Sequence, residues 1–349
     1  MNLIDRLLTE ESPYSLSKEE KSVLLSGELS NLDQYHHHHC EDYRKILIAR
    51  NESIHYLPVR LFKLMNLKSI PDEKVYKVLT SSGTTSQVVS RINLDSDTAK
   101  LQTKVLVHIM QSYIGRKRLP MLIIDHPNVI KDRANFSARG AGILGLSNFG
   151  RDHTYALNDD MSLNIEAVVN FFDKYRDQDI LMFGFTFMVW EFFIKQLELK
   201  GIKLPKNNSI LIHSGGWKKL QDKAVDNSTF KHFCSEWAGV GRVHNFYGMV
   251  EQVGSIFVEC EQGYLHAPNF ADIKTINVAT MEETRKGEEG VICVESVIPK
   301  SYPGHRLLTE DLGTIHGTDD CKCGRKGRYF TISGRLKKAE LRGCSDTQN

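Results

Sequence analysis

Six of the seven residues from Thr80 to Ser86 (TSSGTTS) carry hydroxyls, and the seventh is glycine. Hydroxyls and backbone N–H groups in a tight turn form a nest for phosphate oxygens, although a polar surface loop has the same composition. Three further segments follow. In Asn245–Glu251 (NFYGMVE) the carboxylate of Glu251 is expected at a strand end beside a glycine turn. There it could hold Mg2+, which takes one or two carboxylates together with phosphates. Thr309–Gly313 (TEDLG) places Asp311 at an expected turn, positioned to accept hydrogen bonds from ribose hydroxyls. Gly334-Arg335 comes next, followed by Leu336, Lys337 and Lys338. Each segment alone is a weak signal, and their order and spacing are the stronger one.

A second constellation comprises Cys260 and His266 (ECEQGYLH) with Cys321 and Cys323 (CKCG). Three thiolates and an imidazole would complete a closed tetrahedral Cys3His zinc site, and a closed protein ligand set makes such a site structural. The spacings are not those of a zinc finger. The alternative is a buried strand cysteine at 260 and two reduced loop cysteines.

The elements that must position these groups come in two styles. From about Pro71 to Gly248, short apolar strands alternate with amphipathic helices. Met121–Asp125, Ile180–Phe183, Ser209–His213 and Val243–Phe246 read as buried strands. Leu101, Val105, Ile109 and Tyr113 recur every fourth residue behind the capping candidates Asp95, Ser96 and Asp97. Phe187–Lys200 reads as another helix, stopped by Gly201. This alternation predicts an α/β fold with a mostly parallel, helix-covered sheet. Beyond Glu251, Ser255–Glu259, Asp272–Val278, Val291–Val297, Gly313–His316 and Arg328–Ile332 read as strands of a β-rich subdomain.

Composition narrows the functions. Lys+Arg (45) and Asp+Glu (43) nearly cancel, so charge gives no case for nucleic acid or an anionic membrane as the main partner. The seven cysteines are odd in number and scattered, and no secretory signal opens the chain, so reduced thiols and a cytoplasmic location are expected. The most apolar run, Ile180–Trp190, is interrupted at Glu191, short of the roughly 18 residues of a membrane span. Other patterns mimic sites. Gly140–Gly145 fits GxGxxG but lacks the preceding strand a dinucleotide site needs, so close backbone packing beside an acyl pocket is expected instead. His36–His39 reads as a polar segment, and the basic run Cys321–Arg328 as a solvated edge. Phe183, Phe185, Phe187, Trp190, Phe192 and Phe193 read mostly as core, the first of them also as possible lining of an acyl tunnel.

The four segments in their order resemble the SSGTTG, YGxTE, TGDLG and GR motifs of the adenylate-forming superfamily, over roughly residues 50–343. Within it the chain is similar to the phenylacetate-CoA ligase branch, where related EC…GLH and CxCGR segments also occur. Three segments resemble the acyl-protein synthetase (LuxE) family: His213–Lys218, Phe246–Glu251 and Arg342–Thr347. The resemblance implies that Ser82, Gly83, Thr84 and Thr85 cradle ATP phosphates. Gly215 and Gly216 would wall the adenine pocket, and Tyr247 and Gly248 would line the nucleotide and acyl site. It further implies Mg2+ on Glu251, ribose on Asp311, and Arg335 nearby. Cys344 would accept the acyl group; Lys337, Lys338 and Arg342 favour its thiolate and Asp346 opposes it in part.

Ser86 stands where the family has glycine, and Val250 replaces the usual threonine. The expected organisation is a large domain over 1–333, with its β-rich subdomain from about 251, and a hinge remnant and mobile tail over 334–349. The family's small C-terminal domain, which carries a lysine for the α-phosphate, is expected to be absent. Lys218, Lys219, Lys337 and Lys338 are the candidate substitutes. The implied activity is ATP-dependent formation of a fatty acyl-adenylate and transfer to a cysteine, for delivery to an acyl reductase. An acyl- or aryl-CoA ligase and a degenerate nucleotide-binding scaffold are the alternatives.

Overall fold

The computed structural model of the chain describes residues 2–50, 56–81, 89–130, 138–217 and 223–336. Two compact units emerge. The first comprises Met1–Ser112, Gly248–Phe257 and Tyr264–Asn349, and the second Tyr113–Tyr247 and Val258–Gly263.

The first unit opens with helices α1 (Leu3–Thr9) and α2 (Lys18–His39). Ser17 and Glu20 form a reciprocal capping box at the start of α2, which closes off two otherwise unpaired N–H groups. Leu25, Leu29, Leu32 and His36 recur at helical spacing and are buried. The histidine run is therefore the last turn of a helix. His36 lies in the core, 2.7 Å from Ser69 Oγ, and His38 and His39 are exposed. Next come α3 (Glu41–Arg50), β1 (Leu57–Pro58) and α4 (Leu61–Leu64), then the antiparallel pair β2 (Lys77–Thr80) and β3 (Arg91–Leu94). This pair brackets the hydroxyl-rich segment in sequence. Its stem is closed by Ser81 N donating to Ser90 O at 3.2 Å and Ser90 N to Ser81 Oγ at 2.9 Å. Helix α5 (Ser96–Ile114) starts where expected, with Asp95 Oδ1 accepting from Thr98 N at 2.7 Å.

The second unit alternates β4 (Leu119–Ile123), α6 (Ala138–Ser147), β5 (Gly150–Tyr155), α7 (Ile165–Lys174) and β6 (Leu181–Phe185). The helical stretch after β6 is not one regular helix. It runs as α8 (Thr186–Met188), a π-helical segment Val189–Ile194, and α9 (Lys195–Leu199). Widening the turn buries Val189, Trp190, Phe193, Ile194 and Leu197 together against the sheet. Strands β7 (Ile210–Ser214) and β8 (Arg242–Tyr247), with α10 (Asn227–Ala238) between them, complete the set. The order is β5-β4-β6-β7-β8, all parallel. The near-continuous apolar strands are those of a sheet covered on both faces.

The chain then passes through β9 (Phe257–Glu259) into β10 (Leu265–His266), β11 (Ala271–Ile276), β12 (Glu289–Ser296), β13 (Arg306–Thr318) and β14 (Arg328–Arg335). In the first unit these pair antiparallel in the order β11-β12-β13-β14-β10, with β1 parallel on β13. Two expectations change here. The strand expected at Gly313–His316 is a 13-residue strand, and Asp311 lies inside it rather than at a turn. The TEDLG glycine marks a register shift between Leu312 and Gly313, so the polar cluster bends the ladder without ending it. Among the described residues no helix is long and apolar enough to cross a membrane.

Candidate active site

In the second unit, β6, β7 and β8 end side by side, with Phe185 opposite Ser214 and Ser214 opposite Phe246. Carboxyl ends of parallel strands are where open α/β sheets bind ligands. Ser214 Oγ donates to Phe246 O at 2.9 Å and ties two of these ends together. Gly215 follows at φ +83°, a conformation that favours glycine, and a Cβ there would meet the Phe185 ring at 2.9 Å. Gly216 faces open space. Beneath them the Thr186 hydroxyl lies 3.0 Å from His213 Nδ1 and 3.3 Å from Ser214 O. Burial pushes the His213 pKa down to about 4, so this imidazole is neutral. Tyr247 ends β8. Behind this edge, Glu259 accepts from Asn245 N at 3.0 Å and Lys231 Nζ at 2.7 Å, and from Asn227.

In the first unit, Gly248 packs against Ile256, and Glu251 sits in a short 3-10 turn, Val250–Gln252. Glu251 is buried, and desolvation raises its pKa; the Ser90 hydroxyl and the charges of Lys63 and Arg335 pull the other way. Gln252 Nε2 donates to Gly304 O at 3.0 Å, and a Cβ at Gly304 would come within 2.6 Å of the Glu251 carbonyl. This backing fixes the turn. Asp311 and Arg335 are cross-strand partners, with Arg335 Nε donating to Asp311 Oδ1 at 2.8 Å. Thr309 Oγ1 accepts from Asp311 N at 3.1 Å and donates to Ile292 O at 2.8 Å. Glu310, the residue before Asp311, accepts from Arg60 at 3.0 Å. Alternation along the strand thus separates the two acids onto opposite faces.

In the first unit, the ligand atoms of His266, Cys321 and Cys323 lie within 4.8 Å of one another. Cys323 Sγ is 3.4 Å from His266 Nε2. An S···N edge of about 3.6 Å follows from tetrahedral zinc bond lengths, so the donor set fits that ion. His266 stands on β10 and stacks on Tyr329, its register partner on β14. Cys321 and Cys323 occupy the turn between β13 and β14, where Gly324 N returns to Cys321 O at 3.0 Å. The N-terminal segment is hydrogen-bonded to this turn: Lys326 N donates to Tyr14 O at 3.0 Å, and Asp319 accepts from both Lys18 N and Gly327 N. The basic run here is not a solvated edge throughout. Arg328 is buried between Asp272, Glu283 and the Ile273 carbonyl.

The sequence matches the family model "Acyl-protein synthetase, LuxE" over residues 1–349. The chain belongs to the LuxE family of acyl-protein synthetases. Two curated relatives are long-chain-fatty-acid–luciferin-component ligases, one of Vibrio harveyi and one of Aliivibrio fischeri. Each is 22% identical, the alignment covering 98% of this chain and 92% of the relative. Among solved structures the chain resembles 2-hydroxyisobutyryl-CoA ligase in complex with 2-HIB-AMP and CoA. The TM-score is 0.71 at 16% identity, covering 93% of this chain and 77% of that one. A second structure of that ligase, in the thioesterification state, gives 0.69 at 17%, covering 93% and 70%. The fold is that of the adenylate-forming ligases. As a LuxE-family member the protein is an ATP-dependent ligase that activates an acid.

The expected LuxE-type positions divide unevenly. Asp311 and Arg335 are in contact, and Arg335 is close enough to act on the Glu251 charge. Gly215, Gly216 and Tyr247 stand at adjoining strand ends of the second unit. Ser82, Gly83, Thr84, Thr85, Lys218, Lys219, Lys337, Lys338 and Cys344 lie outside the described residues. The supporting pair Gln252 and Gly304 carries no motif, and sequence reasoning missed it. It also missed a buried Asp125 paired at 3.1 Å with Arg139 Nε at the start of α6. The only sequence signal for that pair was a carboxylate ending an apolar strand.

Proposed function

We propose that the protein activates a fatty acid with ATP and carries the acyl group on Cys344 for an acyl reductase partner. One oxygen of the acid carboxylate attacks the α-phosphorus, the bond to the β-phosphate oxygen breaks, and pyrophosphate leaves. The Cys344 thiolate then attacks the acyl carbon, AMP departs with the bonding pair, and a thioester remains. The observation that carries the reading is the family match over the whole chain, joined to a retained Glu251 and Asp311–Arg335 pair.

In this reading Gly215 and Gly216 offer a flat backbone wall to adenine, Tyr247 and Gly248 border the nucleotide and acyl group, and Asp311 accepts from the ribose hydroxyls. Ser82, Gly83, Thr84 and Thr85 hold the phosphates. A cation would offset the hydration that burial takes from the carboxylate, so Glu251 would hold Mg2+, which neutralises phosphate charge when bound. Arg335 orients Asp311 through their hydrogen bond and adds positive charge near Glu251. Zn2+ on Cys260, His266, Cys321 and Cys323 would have a structural role, closing the β13–β14 turn onto β10.

The experiment is pyrophosphate release from ATP with a panel of carboxylic acids, with and without CoA. The reading expects release that requires a fatty acid and not CoA. Release dependent on CoA would redirect it to an acyl-CoA ligase, and absence of release with every acid would refute activation.

A further inference from the structure

The acid-activating reading leaves open what selects the acid, and the second unit holds a residue built for that task. Phe185 ends β6, beside Ser214 on β7. Phe183, two residues earlier on the same face, is fully enclosed, whereas Phe185 is half-buried. Two glycines from different elements seat the Phe185 ring. A Cβ on Gly215 would lie 2.9 Å from its Cδ1, and a Cβ on Gly142 would lie 3.2 Å from its Cε2. Gly215 has an independent reason to be glycine, its φ of +83°. Gly142 has none. It lies inside α6, where glycine costs about 1 kcal/mol relative to alanine. What the helix gains at that position is room for the ring, because the same Cβ would approach the Phe185 Cζ at 3.3 Å while already touching the enclosed Phe183 at 3.4 Å.

We propose that Phe185 is a specificity-determining wall of the acid site, and that Gly142 sets how far its ring stands into that site. The proposal rests on the acid-activating reading. A phenyl ring offers neither donor nor acceptor, so its partner is the apolar part of the acid rather than the phosphates or the adenine edge. It packs on Gly215, the residue the family resemblance places at the adenylate. The enclosed Phe183 has no room to yield, so a methyl group at position 142 would displace the Phe185 ring outward.

The test is acid-dependent pyrophosphate release over a series of straight-chain saturated acids. It compares the wild type with Phe185→Ala, Phe185→Leu and Gly142→Ala, and measures the KM for ATP alongside. The expected result is opposite shifts. Phe185→Ala moves the optimum to longer acids and Gly142→Ala to shorter ones. Each changes the kcat/KM ratio between acids flanking the optimum by about tenfold, the discrimination typical of one methylene, while the KM for ATP stays constant. Phe185→Leu falls between wild type and alanine and carries the test should the alanine variant fail to fold. An unchanged acid profile in variants of an active wild type would overturn this proposal alone, as would a profile that holds while the KM for ATP moves. A wild type inactive with every acid would overturn the underlying reading as well.

Discussion

At the carboxyl edge of the second unit, the residues standing at or just beyond the strand ends are glycines and aromatics: Gly215, Gly216, Phe185 and Tyr247. Even the titratable group below them, His213, is held neutral by burial. The first unit presents the opposite chemistry. Glu251, Asp311 and Arg335 are ionisable side chains, and His266, Cys321 and Cys323 offer metal ligands. The difference teaches what each kind of architecture controls well. Parallel strands ending in register fix the shape of a surface through backbone conformation. Antiparallel strands joined by cross-strand pairs hold charged side chains at set separations, as Asp311 and Arg335 are held.

The largest effect is expected from the metal ligands. Structural zinc in small domains contributes on the order of 10 kcal/mol to folding, and the β-sheet around this site replaces part of that. Cys321→Ser with Cys323→Ser should abolish a stoichiometric zinc content and lower the chemical unfolding midpoint more than loss of Asp311, His213 or either adjacent glycine. Metal analysis of protein purified without chelator decides it, and a wild type lacking zinc would contradict the assignment. The charge-bearing side is probed next by Asp311→Ala. Loss of a charge-assisted hydrogen bond is worth about 1.5–3 kcal/mol, so ATP affinity should fall about tenfold to hundredfold, read by calorimetry on folded protein. Unchanged affinity would remove Asp311 from the nucleotide site.

The pH response probes the side built on shape. Burial lowers the His213 pKa from 6.5 to about 4, so the unfolded chain binds the proton more readily than the folded one. Its stabilising contribution is present above about pH 6.5 and is lost as pH falls from there towards 4. His36 and His305 in the first unit are lowered by burial too and act in the same direction. His213→Gln should therefore flatten, without abolishing, the decline of the unfolding midpoint between pH 6.5 and 4. An identical slope in the variant would show that His213 is not buried neutral. The smallest effect separates two adjacent glycines. Gly215→Ala should cost roughly 1–2 kcal/mol because alanine resists a left-handed backbone, whereas Gly216→Ala, facing open space, should leave the denaturation midpoint nearly unchanged.

Much of the second unit was legible in the sequence because its strands are short apolar runs between amphipathic helices. All four strands expected there are present, with ends shifted by one or two residues. The 22-residue helix α2 was missed, although Ser17-x-x-Glu20 and the 25, 29, 32, 36 spacing announce it; the four consecutive histidines at its end masked the helical period. Asp311 was misplaced at a turn for a related reason. The Thr-Glu-Asp cluster carries turn composition, and only pairing with β14 shows that the chain continues through it as a bulged strand. The Cys/His set was legible from residue type and from the EC…GLH and CxCGR resemblance, since no zinc-finger spacing links positions 260 and 323. The support shells were not legible. Gln252 against Gly304 bears no motif, and Gly142 lies in the GxGxxG run, whose close packing was expected without its partner Phe185, a residue far away in sequence.

Covalent carriage of the activated acid on Cys344 is what the proposed function adds to acid activation. Intact-mass spectrometry after incubation with ATP, Mg2+ and fatty acids, on wild type and Cys344→Ser, tests it most directly. The account predicts a hydroxylamine-sensitive mass increase of one acyl group on the wild type. On Cys344→Ser it predicts none, with pyrophosphate release retained. Equal acylation of the variant, or a wild type that releases pyrophosphate yet never gains an acyl group, would contradict it.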